Sequence, residues 1–246
     1  MATSNENKKA IYSIFWIWLV ITIVGVLISI KAPAWLMPTS ASSSMHLVIE
    51  TIVVFSVAAA PVAALVYAIT LYALVKWRWR GDGVPPDGPN LRNNSTLTSV
   101  WIVSSTMLTI FLLIWGLAAL AVDEGGGNGK NPMTVNVTGQ QWAWSFTYPG
   151  THVASNELYL PVNDKITFNV TSKDVVHGFW IVQMGVKVNA NPGVSTSVSV
   201  TPNKIGTYDI RCTEICGLYH AYMVTRVHVL SDTAFAKWLS SQPSRA

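Results

Sequence analysis

The sequence predicts a membrane α-helical hairpin, extended to three transmembrane helices, that carries an all-β Greek-key domain. Three observations carry that reading. Only 11% of the 246 residues are charged and 50% are hydrophobic, with a mean hydropathy of +0.37, whereas soluble globular domains carry about 25% charged residues. The first half holds three apolar stretches, each reaching the roughly 20 residues a helix needs to cross a bilayer. Beyond Val122 the apolar residues recur at the period of short strands, with turn residues between them. The length leaves room for one membrane region and one extramembrane domain, and excludes a large multidomain enzyme.

The transmembrane region covers 1–122, with helices near 11–30, 47–75 and 97–122. Glu50 is the one acid inside these runs, close to the start of the second, and Pro61 is expected to kink that helix. Lys8 and Lys9, an apolar core and Ala32-Pro33-Ala34 together imitate a cleavable secretory signal. Twenty apolar residues are long for such a signal, so a retained helix is expected, with a mature chain beginning at Trp35 as the alternative. Lys8 and Lys9 precede the first run, and Lys76, Arg78, Arg80 and Arg92 lie between the second and third. The positive-inside rule puts both groups in the cytoplasm and everything after Val122 outside. The same placement answers the formal net charge of +4: the basic residues form a membrane-interface belt, Lys76-Trp77-Arg78-Trp79-Arg80 included, and not a nucleic-acid-binding stripe.

A linker spans 123–132, and the four glycines of Asp123–Lys130 predict flexibility. The β-domain covers 133–230. Strands are expected at 133–138, 141–148, 157–160, 166–170, 178–183, 194–200, 207–211 and 223–229, parted by Pro149-Gly150, Asn163-Asp164, Pro192-Gly193 and Pro202-Asn203. The segment 231–246 holds a short helix, capped by Ser231 or Asp232 and running to about Leu239, and a tail.

Chemistry concentrates in Arg211-Cys212-Thr213-Glu214-Ile215-Cys216-Gly217-Leu218-Tyr219-His220-Ala221-Tyr222-Met223, on a loop between two predicted strands. Soft sulfur ligands with imidazole suit copper, and the His, Cys and Met set is that of electron-transfer copper sites. A mononuclear site needs one Cys, whereas two Cys four apart can both bridge a pair of coppers, which then needs a second His. His177, thirty-five residues before Cys212 and at the start of a predicted strand, is the candidate. Two readings compete: an ordinary disulfide in an oxidising compartment, and a zinc site, for which Met223 is an unusual ligand. His46, His152 and His228 are read as playing no part, His228 as solvent-facing on a strand.

These residues resemble subunit II of haem-copper terminal oxidases of the cytochrome c oxidase type. The resemblance rests on Gln141-Trp142-Ala143-Trp144-Ser145-Phe146 with Tyr148-Pro149, Leu160-Pro161-Val162, Thr171–His177, Gly185-Val186-Lys187, Pro192-Gly193 and Cys212–Met223. It implies a cupredoxin fold with a binuclear copper A centre held by His177, Cys212, Cys216, His220, Met223 and the carbonyl of Glu214. It further implies that the Glu214 side chain reaches a magnesium ion at the interface with the catalytic subunit, and that Trp142 receives electrons from the donor. The implied function is to take electrons from a periplasmic-side cytochrome c or cupredoxin and pass them to haem in subunit I, where oxygen is reduced to water as protons are translocated. The implied setting is a prokaryotic cell (inner) membrane, with lipid and other oxidase subunits as neighbours, no nucleic acid, and the copper domain on the outer or periplasmic side.

Four positions depart from the family pattern: Asn189 and Val194 stand where relatives usually have an acid and an arginine, Thr98 where they commonly have Glu, and Gln140 where they commonly have His. A membrane-anchored copper carrier or delivery protein, and the copper A subunit of a nitric oxide reductase, are the alternatives. From Asp123 onward eight acids face nine bases, so a strongly acidic face to steer a basic donor is not expected.

Overall fold

The computed structural model describes residues 4–79, 81–84, 93–124, 127–151 and 153–242. The expectations placed on Arg80, Arg92 and His152 lie outside the described residues. The chain divides into two compact units, Met1–Met37 with Thr51–Gly116, and Pro38–Glu50 with Leu117–Ala246.

The helices are α1 (Ser4–Lys31), a single turn α2 (Pro33–Leu36), α3 (Ser43–Lys76) and α4 (Ser95–Glu124). Each long helix outruns its apolar run, because the polar residues that flank the run also take up helix once the apolar turns nucleate it. Three segments of these helices are long and apolar enough to cross a membrane, Asn5–Lys31, Ser43–Lys76 and Ser95–Asp123. Helix α3 continues through Pro61 without a break. In the first unit the Trp18 indole Nε1–H donates to the Pro61 carbonyl at 2.9 Å, tying α1 to α3. Ala64 and Ala68 are buried on α3, the small-residue packing that lets membrane helices approach closely.

The second unit is a sandwich of two five-stranded sheets. Its strands are β1 (Pro132–Gln140), β2 (Ala143–Tyr148), β3 (Val153–Ser155), β4 (Leu158–Pro161), β5 (Lys165–Ser172), β6 (His177–Ile181), β7 (Val186–Ala190), β8 (Thr196–Val200), β9 (Gly206–Cys212) and β10 (Val224–Leu230). One sheet runs β3-β2-β1-β5-β8 and the other β4-β10-β9-β6-β7, with parallel pairs at β1·β5 and β4·β10. Alternation makes the core: Ile166, Phe168 and Val170 on β5 face Phe179 and Ile181 on β6, all fully buried, each contributing about 1.5–3 kcal/mol of burial. Strands β3 and β7 escape the sequence reading, the first because three residues show no period, the second because Lys187 and Asn189 weaken a strand that pairing with β6 sustains. Helix α5 (Asp232–Ser241) is capped by Ser231, whose Oγ accepts from the Ala234 N–H at 3.3 Å.

Two connections are tighter than the sequence suggests. The strap Pro38–Glu50 belongs to this unit. Its Ala41 N–H donates to Gln183 O at 2.9 Å, its Ala41 O accepts from Asn203 N–H at 3.0 Å, and the fully buried Ser42 donates through Oγ to Met184 O at 2.7 Å. The same Ser42 Oγ accepts from Met45 N–H at 3.0 Å and so caps α3. The linker's end is docked instead of free: Lys130 N–H donates to Asn163 O at 2.9 Å, and a side chain at Gly129 would collide with the backbone of Lys165. That glycine serves close approach. His228 also differs from expectation, for it lies mostly buried, stacked on Tyr159 with ring centroids 4.6 Å apart, its Nε2 3.0 Å from Glu157 Oε2.

Candidate metal centre

Strand pairing brings the sequence-distant donors together. Strand β6 opens on His177 and pairs antiparallel with β9, Phe179 opposite Cys212. His177 therefore sits beside the end of β9, where Cys212 closes the strand. From there the chain loops out and returns as β10, and Cys212 N–H donates to Met223 O at 3.2 Å to shut the loop's neck. The loop also fastens to β6, with Thr213 N–H donating to Gly178 O at 3.0 Å. A side chain at Gly178 would strike the Thr213 hydroxyl, so glycine is needed for this approach.

Within that frame Cys212 Sγ lies 3.8 Å from Cys216 Sγ, 3.9 Å from His177 Nδ1 and 3.3 Å from the Glu214 carbonyl oxygen. Cys216 Sγ lies 3.5 Å from His220 Nδ1 and 3.8 Å from Met223 Sδ. His177, Cys212 and Cys216 offer donor atoms all within 4.8 Å of one another. The two sulfurs are unbridged, at nearly twice a disulfide's bond length. The arrangement is thus a cluster of soft donors around a shared centre, and this set fits copper. His177 and Met223 are fully buried and Cys216 nearly so. Burial, then the neighbouring Cys212 thiol, pushes the Cys216 pKa up to about 11, so a metal entering here must displace a thiol proton.

Two residues complete the site that sequence reasoning gave no role. Asp174 Oδ1 lies 2.9 Å from His177 Nε2, which leaves Nδ1 facing the sulfurs, the carboxylate–histidine support found behind metal ligands. Partial burial raises the Asp174 pKa, but hydrogen bonds from Gln141 N–H, His177 and Val175 N–H outweigh it and hold the carboxylate at about 2. Gln141 N–H reaches Asp174 Oδ2 at 2.7 Å, and its Nε2 donates to Cys216 O at 2.8 Å. The available signal was an acid three residues before a candidate ligand. Trp142 follows on the same turn, edge-on to Tyr219 with centroids 4.8 Å apart. Glu214 is half-buried, with its carbonyl toward Cys212.

The family of the periplasmic domain of cytochrome c oxidase subunit II matches residues 151–230, the stretch that supplies every donor described above. The β-domain belongs to the cytochrome c oxidase subunit II family. A subunit 2 from Thermostichus vulcanus is 42% identical over 111 residues, 45% of this chain and 34% of that relative, so this match spans about a third of the relative's length. One from Synechocystis is 25% identical across 89% of this chain and 81% of its own length, which takes in the helices. Among solved structures, the periplasmic domain of subunit II from Bradyrhizobium japonicum is 30% identical and aligns with 48% of this chain and 96% of its own, at a TM-score of 0.44. The β-sandwich is the cupredoxin-like domain of this family.

Proposed function

We propose that the chain is the electron-accepting subunit of a respiratory haem-copper oxidase, an oxidoreductase complex whose oxygen-reducing haem site lies in a partner subunit I. The observation that carries this reading is the convergence of two unbridged sulfurs, two imidazole Nδ1 atoms, a thioether and a carbonyl at one end of the sandwich. We assign His177, Cys212, Cys216, His220, Met223 and the Glu214 carbonyl as holding binuclear copper A. Copper bound there would supply a one-electron couple. The chain's own residues do the rest: Asp174 fixes the tautomer and direction of His177, the backbone bond from Cys212 N–H to Met223 O closes the loop's neck beside the buried Met223, and the sheets keep the donors from moving between oxidation states. The Glu214 side chain is assigned to a magnesium ion shared with subunit I. Oxygen reduction and proton translocation belong to that partner, and the β-domain faces the outer or periplasmic side.

Trp142 is the assigned input for electrons. The near balance of acids and bases beyond Asp123 favours an apolar docking patch around it for the cytochrome c or cupredoxin donor. Electrostatic steering raises association about 10 to 1,000-fold and collapses with salt, so its absence is measurable. Stopped-flow reduction of the copper-loaded chain by candidate donors should vary little across a salt series and fall about tenfold or more in Trp142→Ala, an anchor-residue loss. A steep salt dependence, or an unchanged rate in the variant, refutes this docking.

A further inference from the structure

Two adjoining cavities mark the end of the α1–α3 pair that carries the basic residues. One, of about 520 Å³, is lined by Glu6, Asn7, Lys9, Ser13, Tyr72 and Lys76 among others, and the next, of about 330 Å³, is lined only by apolar and aromatic side chains, including Ile14, Phe15, Leu65 and Ile69. Trp77 lines both, so the two are neighbours across one ring, which meets Tyr72 edge-on with centroids 5.2 Å apart. Lys9 and Lys76 against Glu6 leave the polar mouth with one net positive charge. Asn7 and Ser13 add neutral hydrogen-bonding groups. Below it the apolar groove runs toward the bilayer interior along helices that are long and apolar enough to span it.

A cationic, hydrogen-bonding mouth above an apolar trough matches the two chemical halves of an anionic phospholipid. Basic pockets between transmembrane helices at the cytoplasmic face take such headgroups, and the positive-inside rule places Lys9 and Lys76 at that face. We propose that this site binds one anionic phospholipid of the cytoplasmic leaflet, its phosphate between Lys9 and Lys76 and an acyl chain along Phe15, Leu65 and Ile69. The occupant is a lipid and not free phosphate, because the groove offers apolar surface that only a tailed ligand covers.

The test is lipid retention by the full chain, released from nanodiscs of phosphatidylglycerol or phosphatidylcholine and weighed by native mass spectrometry. The expected result is one tightly held phosphatidylglycerol. Retention should fall about 5-fold for each lysine removed in Lys9→Gln and Lys76→Gln. Lys8→Gln removes the same charge from the same helix end without lining the cavity, and should retain lipid as the parent does. Leu65→Trp, which fills the trough, should weaken retention while leaving both lysines in place, and added inorganic phosphate should not compete. Equal retention of the two lipids, equal loss in Lys8→Gln, or displacement by phosphate would overturn the proposal. So would protection of Lys9 and Lys76 from acetylation in the assembled complex whatever the lipid charge, which would give the groove to a partner subunit.

Discussion

Strand β6 joins two ends of the β-domain that are built in opposite ways. At its first residue, His177, soft donors crowd against one another, and a carboxylate sits behind the imidazole. Just past its last residue, at Gln183 and Met184, the backbone is closed by the strap, whose Ala41 and Ser42 groups are paired. The second end is stable as it stands. The first is a cluster of thiols, imidazoles and a thioether held in contact with one another. Soft side-chain donors gathered at one end, against backbone groups paired with the strap at the other, are what separate a site from structure here.

Cys216→Ser should have the largest effect, because it removes the sulfur that touches Cys212, His220 and Met223 together. Copper that survives dialysis against a chelator in the parent chain should be lost from the variant, by metal analysis, while thermal stability without copper changes little. Asp174→Asn keeps every donor but weakens the hold on His177 Nε2. Loss of a partner behind a metal-bound imidazole costs about 10 to 100-fold in affinity, which competition titration against a copper chelator would measure.

The strap end responds in the other currency. Ser42→Ala strips the bonds to Met184 O and from Met45 N–H in a fully buried setting, about 1–3 kcal/mol, and should lower the melting temperature of the copper-free chain with copper affinity unchanged. Equal effects of Asp174→Asn and Ser42→Ala on affinity would erase the distinction between the two ends.

The smallest effect is at alkaline pH. Burial raises the Tyr148 phenol above its ordinary 10.0, against the lowering effect of its bond to the Tyr159 backbone. A folded-state value above the unfolded one means the contribution is whole below pH 10 and is lost as pH climbs toward the folded value. Tyr148→Phe should therefore flatten the loss of stability above that pH. It should also lower stability near neutrality by about 1 kcal/mol, because the hydroxyl donates to Tyr159 O and accepts from Tyr159 N–H.

What the sequence made legible follows from which interactions are local. The donors Cys212, Cys216, His220 and Met223 lie within one loop and their spacing announced them, whereas the Glu214 carbonyl came only from the family resemblance. His177 was legible because a second imidazole was needed and few candidates existed. Asp174 and Gln141 were not, since their roles depend on a side chain and a loop carbonyl that only the sandwich brings near. The strap was invisible for the same reason: Ala41 and Ser42 are unremarkable residues whose partners lie about 140 positions away. Glycine misled at Gly129, where composition suggested freedom and the fold uses the missing side chain to bring backbones together. His228 misled because alternation on β10 pointed it outward, while Tyr159 on the parallel neighbour β4 covers it.

Cys212 and Cys216 are both assigned as ligands of one two-copper centre, and electron paramagnetic resonance of the copper-loaded full chain probes that assignment at the metal itself. An unpaired electron shared over two copper nuclei, lost in either Cys212→Ser or Cys216→Ser and kept in Met223→Leu, is the predicted result, the thioether being a weak axial ligand. A spectrum from a single copper nucleus, or an unchanged spectrum in one of the serine variants, would contradict it.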